Sequence, residues 1–238
     1  MNRLSIEKRA QIIRMLVEGM SMRAASRVAD VSINTVTKLL IDIGQACSKY
    51  QDAAMRNLPC KRIQCDEIWS FCYSKKKNVS EENKGVLGHG DVYTWTAFDP
   101  DSKLIVSFLV GHRDYEYAKV FINDVASRLA NRVQLTVDGR RPYLSAVDGT
   151  SSGEIDFAQL AKIYGPSPTI EQCLVMRRLN RLTNGISKKV ENFEHAIALH
   201  FMLYNFGRVH KTLHVTPAMK AGIADHVWTT EEFVNRVL

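Results

Sequence analysis

Between residues 61 and 139 the chain sets out an order of elements that few folds can accommodate. KRIQCDEIWSFCY (61–73) alternates apolar and polar residues at the two-residue period of a strand. DVYTWTAFDP (91–100) and KLIVSFLVG (103–111) are two more strands, rich in β-branched and aromatic residues. Asp99-Pro100-Asp101-Ser102 between them is a strong turn signal, so the three strands predict an antiparallel meander. DYEYAKVFINDVASRLA then reads as a helix, with Tyr117, Val120, Phe121, Val125 and Leu129 on one face. VQLTVDG follows as a short apolar strand that ends in Asp138.

An antiparallel meander, a crossover helix and a fourth strand demand an α/β layer structure with a mixed sheet. This is the order of an RNase H-like fold, a mixed sheet flanked by helices. Residues 153–164 read equally as strand or short helix, and 168–206 as helix with Gly185 a possible break. The tail after 206 is loop and short helix.

Residues 1–58 are all-helical in pattern. Ser5 can cap a helix carrying Ile6, Ile12, Ile13, Leu16 and Val17, which Gly19 ends. Ala24, Ala25, Val28 and Ala29 form a second apolar face, Asp30-Val31-Ser32 a tight turn, and Val36, Leu39, Leu40 and Ile43 a third face. Two helices joined by such a turn make a helix-turn-helix pattern, equally compatible with a small bundle that binds nothing. Its second helix would present Asn34, Thr35 and Lys38 to DNA, with Arg23 and Arg27 beside it. The division expected is therefore 1–58 for the helix-turn-helix domain, 59–228 for the catalytic core with basic C-terminal helices, and 229–238 for a tail.

The net charge of +7 and pI near 9.2 favour a polyanionic partner, most simply nucleic acid. The N-terminus lacks the apolar stretch of a signal peptide, and no apolar run reaches the ~18 residues of a membrane span. The five cysteines, at 47, 60, 65, 72 and 173, form no CxxC pair, which argues against a cysteine metal site and for a reducing compartment. A cytoplasmic, nucleoid-associated protein without membrane contact is expected.

Two acids stand out by position. Asp66 lies mid-strand between apolar residues, and Asp138 ends the fourth strand. A carboxylate beside a core is costly unless it is paired or metal-bound. In the inferred fold the first and fourth strands are neighbours, so the two acids can share divalent ions. Two Mg²⁺ ions suit phosphoryl transfer, and Mn²⁺ can substitute. A third ligand should come from a later helix, and Glu171 opens one; Asp148, Glu154 and Asp156 are rivals nearer to Asp138. Glu67 should face the other side of the strand in a structural or solvated role.

These segments, IQCDEIWSF, LTVDGRRPYL, RLNRLTNGISKKVENF and above all YNFGRVHKTLHVTPAMKAG, resemble the DDE-type transposases of bacterial insertion sequences. The resemblance spans roughly residues 59–228. It implies a Mg²⁺-dependent nuclease and strand transferase acting on double-stranded DNA, at the terminal inverted repeats of an element and at target DNA, as a homo-oligomer. Asp66, Asp138 and Glu171 match the three catalytic, metal-binding acids. Arg177, Arg178, Arg181, Lys188 and Lys189 would give the long helix a basic face for the phosphate backbone. Arg208, His210 and Lys211 in the tail would contact DNA or pack behind that helix, and His210 can equally be a buried structural histidine. The family tends to carry Glu-Arg-x-Asn at the third acid; here it is Glu171-Gln172-Cys173-Leu174, with no asparagine three residues on. That departure supports an alternative: a catalytically defective DNA-binding repressor of transposition.

Overall fold

Ser5 opens α1 (Ile6–Val17) by accepting a hydrogen bond from the Lys8 backbone N–H at 3.2 Å, and Gly19, at φ +85°, follows its end. The computed structural model describes residues 4–138, 155–160 and 189–237. They belong to two compact units, one holding residues 4–54 with 189–237, the other 55–138 with 155–160. The helices after residue 189 thus group with the N-terminal helices, not with the strands that precede them in sequence.

In the first unit α2 (Met22–Ala29) is capped by Ser21 and ends on Asp30 in the left-handed region. Ser32 Oγ accepts from the Thr35 N–H at 3.1 Å at the start of α3 (Ile33–Ala54), which runs on for 22 residues and is not short. Ala25 and Ala29 are fully buried. Val28, expected on the same face, is 59% exposed. The helix buries only residues four apart, and Val28 lies about 100° round the axis from Ala29.

α3 packs against the apolar helix Val190–Phe206, where Phe193, Ile197, Phe201, Met202 and Phe206 are buried. Gly44 sits where the two cross. A Cβ there would lie 2.6 Å from His195 Cα and 2.8 Å from its carbonyl oxygen. Backbone cannot yield as a side chain can, so Gly44→Ala should separate the helices. It should cost about 1–3 kcal/mol by overpacking, against the ~1 kcal/mol that alanine gains in helix propensity. Urea denaturation should show a lowered midpoint; a raised one would contradict the close approach. Nearby, Tyr50, Phe206 and Trp228 form an edge-and-tilt aromatic cluster with centroids 4.8–5.6 Å apart.

The second unit is built on β1 (Arg62–Cys72). β1 pairs antiparallel with β2 (Gly90–Phe98), and β2 antiparallel with β3 (Ile105–Gly111). On its other side β1 pairs parallel with β4 (Val133–Asp138), and β4 parallel with β5 (Ile155–Leu160). The order is β3-β2-β1-β4-β5, a mixed sheet. Within 153–164, where local pattern left strand and helix open, pairing with β4 selects a strand.

The turn between β2 and β3 closes on Asp99, whose carboxylate accepts the Asp101 N–H at 3.1 Å and the Ser102 N–H at 3.2 Å. Asp114 then caps α4 (Tyr115–Arg128), accepting the Tyr117 N–H at 3.0 Å. Ala118, Phe121, Ile122 and Val125 make its buried stripe, and Phe121 stacks 5.9 Å from buried Trp95 of β2. Trp95 satisfies its ring N–H on the His112 carbonyl at 3.0 Å. Val120, expected to face the core, is 57% exposed because it sits one residue off this i, i+3, i+4, i+7 stripe.

Candidate active site

The β1–β4 ladder ends at the pair Cys65↔Val137. Asp66 and Asp138 are the next residue on each strand, so their backbones stand at adjacent register positions, with strands spaced about 4.8 Å apart at the last pair. Asp66 is half-buried. Its Oδ1 accepts the Glu67 N–H at 2.9 Å, and its carbonyl accepts from Thr96 Oγ1 on β2 at 3.2 Å. From Asp66 to Cys72, β1 continues with β2 alone; the two strands fork there.

Asp138 also pairs with Leu160 of β5, whereas Asp156 pairs with Gln134. Four residues at ~3.3 Å each put Asp156 about 13 Å back along the strands from Asp138. That removes Asp156 as a third acid. Asp148, Glu154 and Glu171 lie outside the described residues.

Glu67 takes the structural role of the two expected for it. Its side chain is 1% exposed and accepts from Arg113 Nε at 3.0 Å and Nη2 at 2.5 Å. Arg113 Cζ lies 5.1 Å from the centre of the Tyr93 ring. Pattern reading missed Arg113 and Thr96. The charged triplet His112-Arg113-Asp114, directly after the last strand residue Gly111, was the signal available for the first.

Cys47, Cys60, Cys65 and Cys72 are buried free thiols. Burial pushes the Cys60 thiol up to about 12, with Asp99 and Asp101 adding to it. Burial, and then the charges of Glu67 and Asp66, also raise the Cys65 thiol, so it stays protonated beside the fork. Among the described residues no three His, Cys, Asp or Glu side chains group as a metal cage. The donors at the fork are carboxylates at adjacent register, with the one neighbouring thiol protonated. This chemistry fits a hard divalent cation such as Mg²⁺ and not a thiolate-seeking metal.

The DNA-binding candidates separate by position. Arg23, Asn34 and Lys38 are exposed around the α2–α3 turn, while Thr35 is half-buried and bonded to Ser32. Lys189 is exposed at the start of α5 (Val190–Phe206). Arg208 and Lys211 are exposed in the loop after it. His210 is half-buried, and neither of the two uses foreseen for it describes what it does: its N–H donates to the Val215 carbonyl at 2.9 Å, its own carbonyl accepts from His214, and its ring meets Thr212 Oγ1 at 3.1 Å. Thr216, fully buried, caps the short helix α6 (Pro217–Lys220). The most distinctive sequence motif of the tail is thus a loop-closing and capping device. Arg177, Arg178, Arg181 and Lys188 lie outside the described residues.

No family model matches the chain, and no curated protein does. Among solved structures it is similar to the Mos1 strand transfer complex, at 12% identity and TM-score 0.29, over 68% of this chain and 59% of that one. The chain therefore spans about three fifths of that structure's chain. It is also similar to a pre-cleavage Mos1 transpososome, at 10% identity and TM-score 0.31, over 84% of this chain and 77% of that one. A third is the Mos1 mariner paired end complex with Mn, at 9% identity and TM-score 0.29, covering 81% and 76%. Overlaps this loose assign no function. No described helix is long and apolar enough to cross a membrane.

Proposed function

We propose that the protein is a DDE-type DNA transposase, cleaving and joining DNA strands at the ends of an insertion element. One observation carries the reading: Asp66 and Asp138 occupy adjacent register positions on parallel neighbours at the end of their ladder. The sheet order, a meander joined through α4 to a parallel strand, is that of an RNase H-like core and supports it.

Asp66 and Asp138 would hold the divalent cation, with Glu171 as third ligand. When bound, that cation supplies nucleophile activation and charge neutralisation for phosphoryl transfer. The Glu67 N–H orients the Asp66 carboxylate from behind. α2 and α3 act as a helix-turn-helix, with Asn34, Thr35 and Lys38 toward the duplex and Arg23 on the phosphates. Arg208 and Lys211, with Arg177, Arg178, Arg181, Lys188 and Lys189, supply further backbone contacts, which makes binding salt-dependent.

A second reading, the DNA-binding repressor, keeps the helical unit and drops cleavage. The residues Glu171-Gln172-Cys173-Leu174 favour it. One assay separates the two. The protein is incubated with Mg²⁺ or Mn²⁺ and DNA bearing the element ends, beside Asp138→Ala. Metal-dependent nicking lost in the variant is expected. Binding with no nicking by either protein would leave the repressor.

A further inference from the structure

β1 loses its β4 partner at Asp66, and the sheet needs something else to fix the fork at that point. Arg113 supplies it. It follows β3, its guanidinium lies over Tyr93 of β2, and two of its nitrogens reach Glu67 of β1. One side chain therefore spans three strands and ends on the residue next to Asp66. Its carboxylate partner is 1% exposed, and Arg113 itself 21%. Shielded from water, the pair has few alternative geometries, and the planar two-nitrogen contact fixes direction as well as distance. The chain of contacts continues through the Glu67 N–H into Asp66 Oδ1 at 2.9 Å.

We propose that Arg113, acting through Glu67, is a positioning residue that sets the fork between β1 and β4, and so the spacing of Asp66 from Asp138 for a divalent cation. The inference rests on the metal site proposed above. Mg²⁺ demands near-ideal octahedral geometry, so a loosened fork weakens its hold. Partners of this outer kind typically change metal affinity about 10–100-fold.

The test is Mn²⁺ binding by titration calorimetry on the full chain without DNA, with melting temperature measured alongside. The apolar pair E67M/R113M removes both charges together, so it should fold with a melting temperature close to wild type. Its Mn²⁺ affinity should fall about tenfold or more. E67Q keeps an oxygen for Arg113 and should bind near wild type. A merely structural pair would leave the affinity of the folded E67M/R113M unchanged, and that result overturns the proposal. Equal losses in E67Q and the apolar pair would also overturn it, since charge and not geometry would then be responsible. If the apolar pair does not fold, R113K carries the test: it keeps the charge but loses the forked contact, and unweakened binding overturns the brace. Asp66→Ala is the control. Wild-type binding that it leaves intact sinks the metal site and the brace with it, whereas binding that it abolishes, with no change in the brace variants, sinks the brace alone.

Discussion

Asp66→Ala should abolish Mg²⁺-dependent cleavage, a fall of about 10³-fold or more, without lowering stability in the absence of metal. The cation at such a site contributes several kcal/mol of charge stabilisation, and each ~1.4 kcal/mol is a factor of ten in rate. Stability should follow a different rule. Without a cation, Asp66 and Asp138 are like charges at adjacent register positions on neighbouring strands. Removing one relieves repulsion and leaves the β1–β2 ladder untouched, so the metal-free melting temperature should hold or rise. Adding Mg²⁺ should then raise the wild-type melting temperature and not the variant's. A ligand bound only by the folded state stabilises it by about 2.7 kcal/mol at a hundredfold excess over its dissociation constant. Duplex affinity, carried by Arg23, Asn34 and Lys38 in the other compact unit, should not change. A melting temperature that falls in the variant, with or without metal, would mean that Asp66 is structural.

The sheet was legible because its signals are local. The alternation in 61–73, the Asp99–Ser102 turn and the helix after Asp114 each declare themselves within a dozen residues. The parallel neighbours β4 and β5 were less so. β4 was found by its apolar run, but 155–160 needed its partner to become a strand. Helical phase was read one residue wide at Val28 and Val120, where β-branched residues invite inclusion in a face that the packing does not extend to. For the site, strand position alone singled out Asp66 and Asp138. What fixes Asp66 was not visible, because Arg113 lies 46 residues from Glu67 and meets it only once three strands are laid side by side. The tail shows the opposite error: a motif specific in sequence suggested contact with DNA, while the structure uses His210 and Thr216 to close a loop and cap a helix.

Arg113→Met by itself should be the most damaging single substitution in the strand unit for stability. It strips the partner from a carboxylate whose side chain is 1% exposed and to which Arg113 gives both described charged contacts. Leaving a buried charge uncompensated typically costs about 3–5 kcal/mol, a large part of the 5–15 kcal/mol that holds an ordinary domain together. The substitution also removes the cation from the face of Tyr93, a further ~0.5–2 kcal/mol. Most of the penalty belongs to Glu67, not to the lost attraction. Adding Glu67→Met to the same chain should therefore restore most of the stability, though it removes a second native group. Thermal and urea unfolding of the two single variants and the double would give a coupling energy of the sign that marks a buried pair. Additive losses would mean that water reaches Glu67, and that Arg113 holds the fork less tightly than its contacts describe.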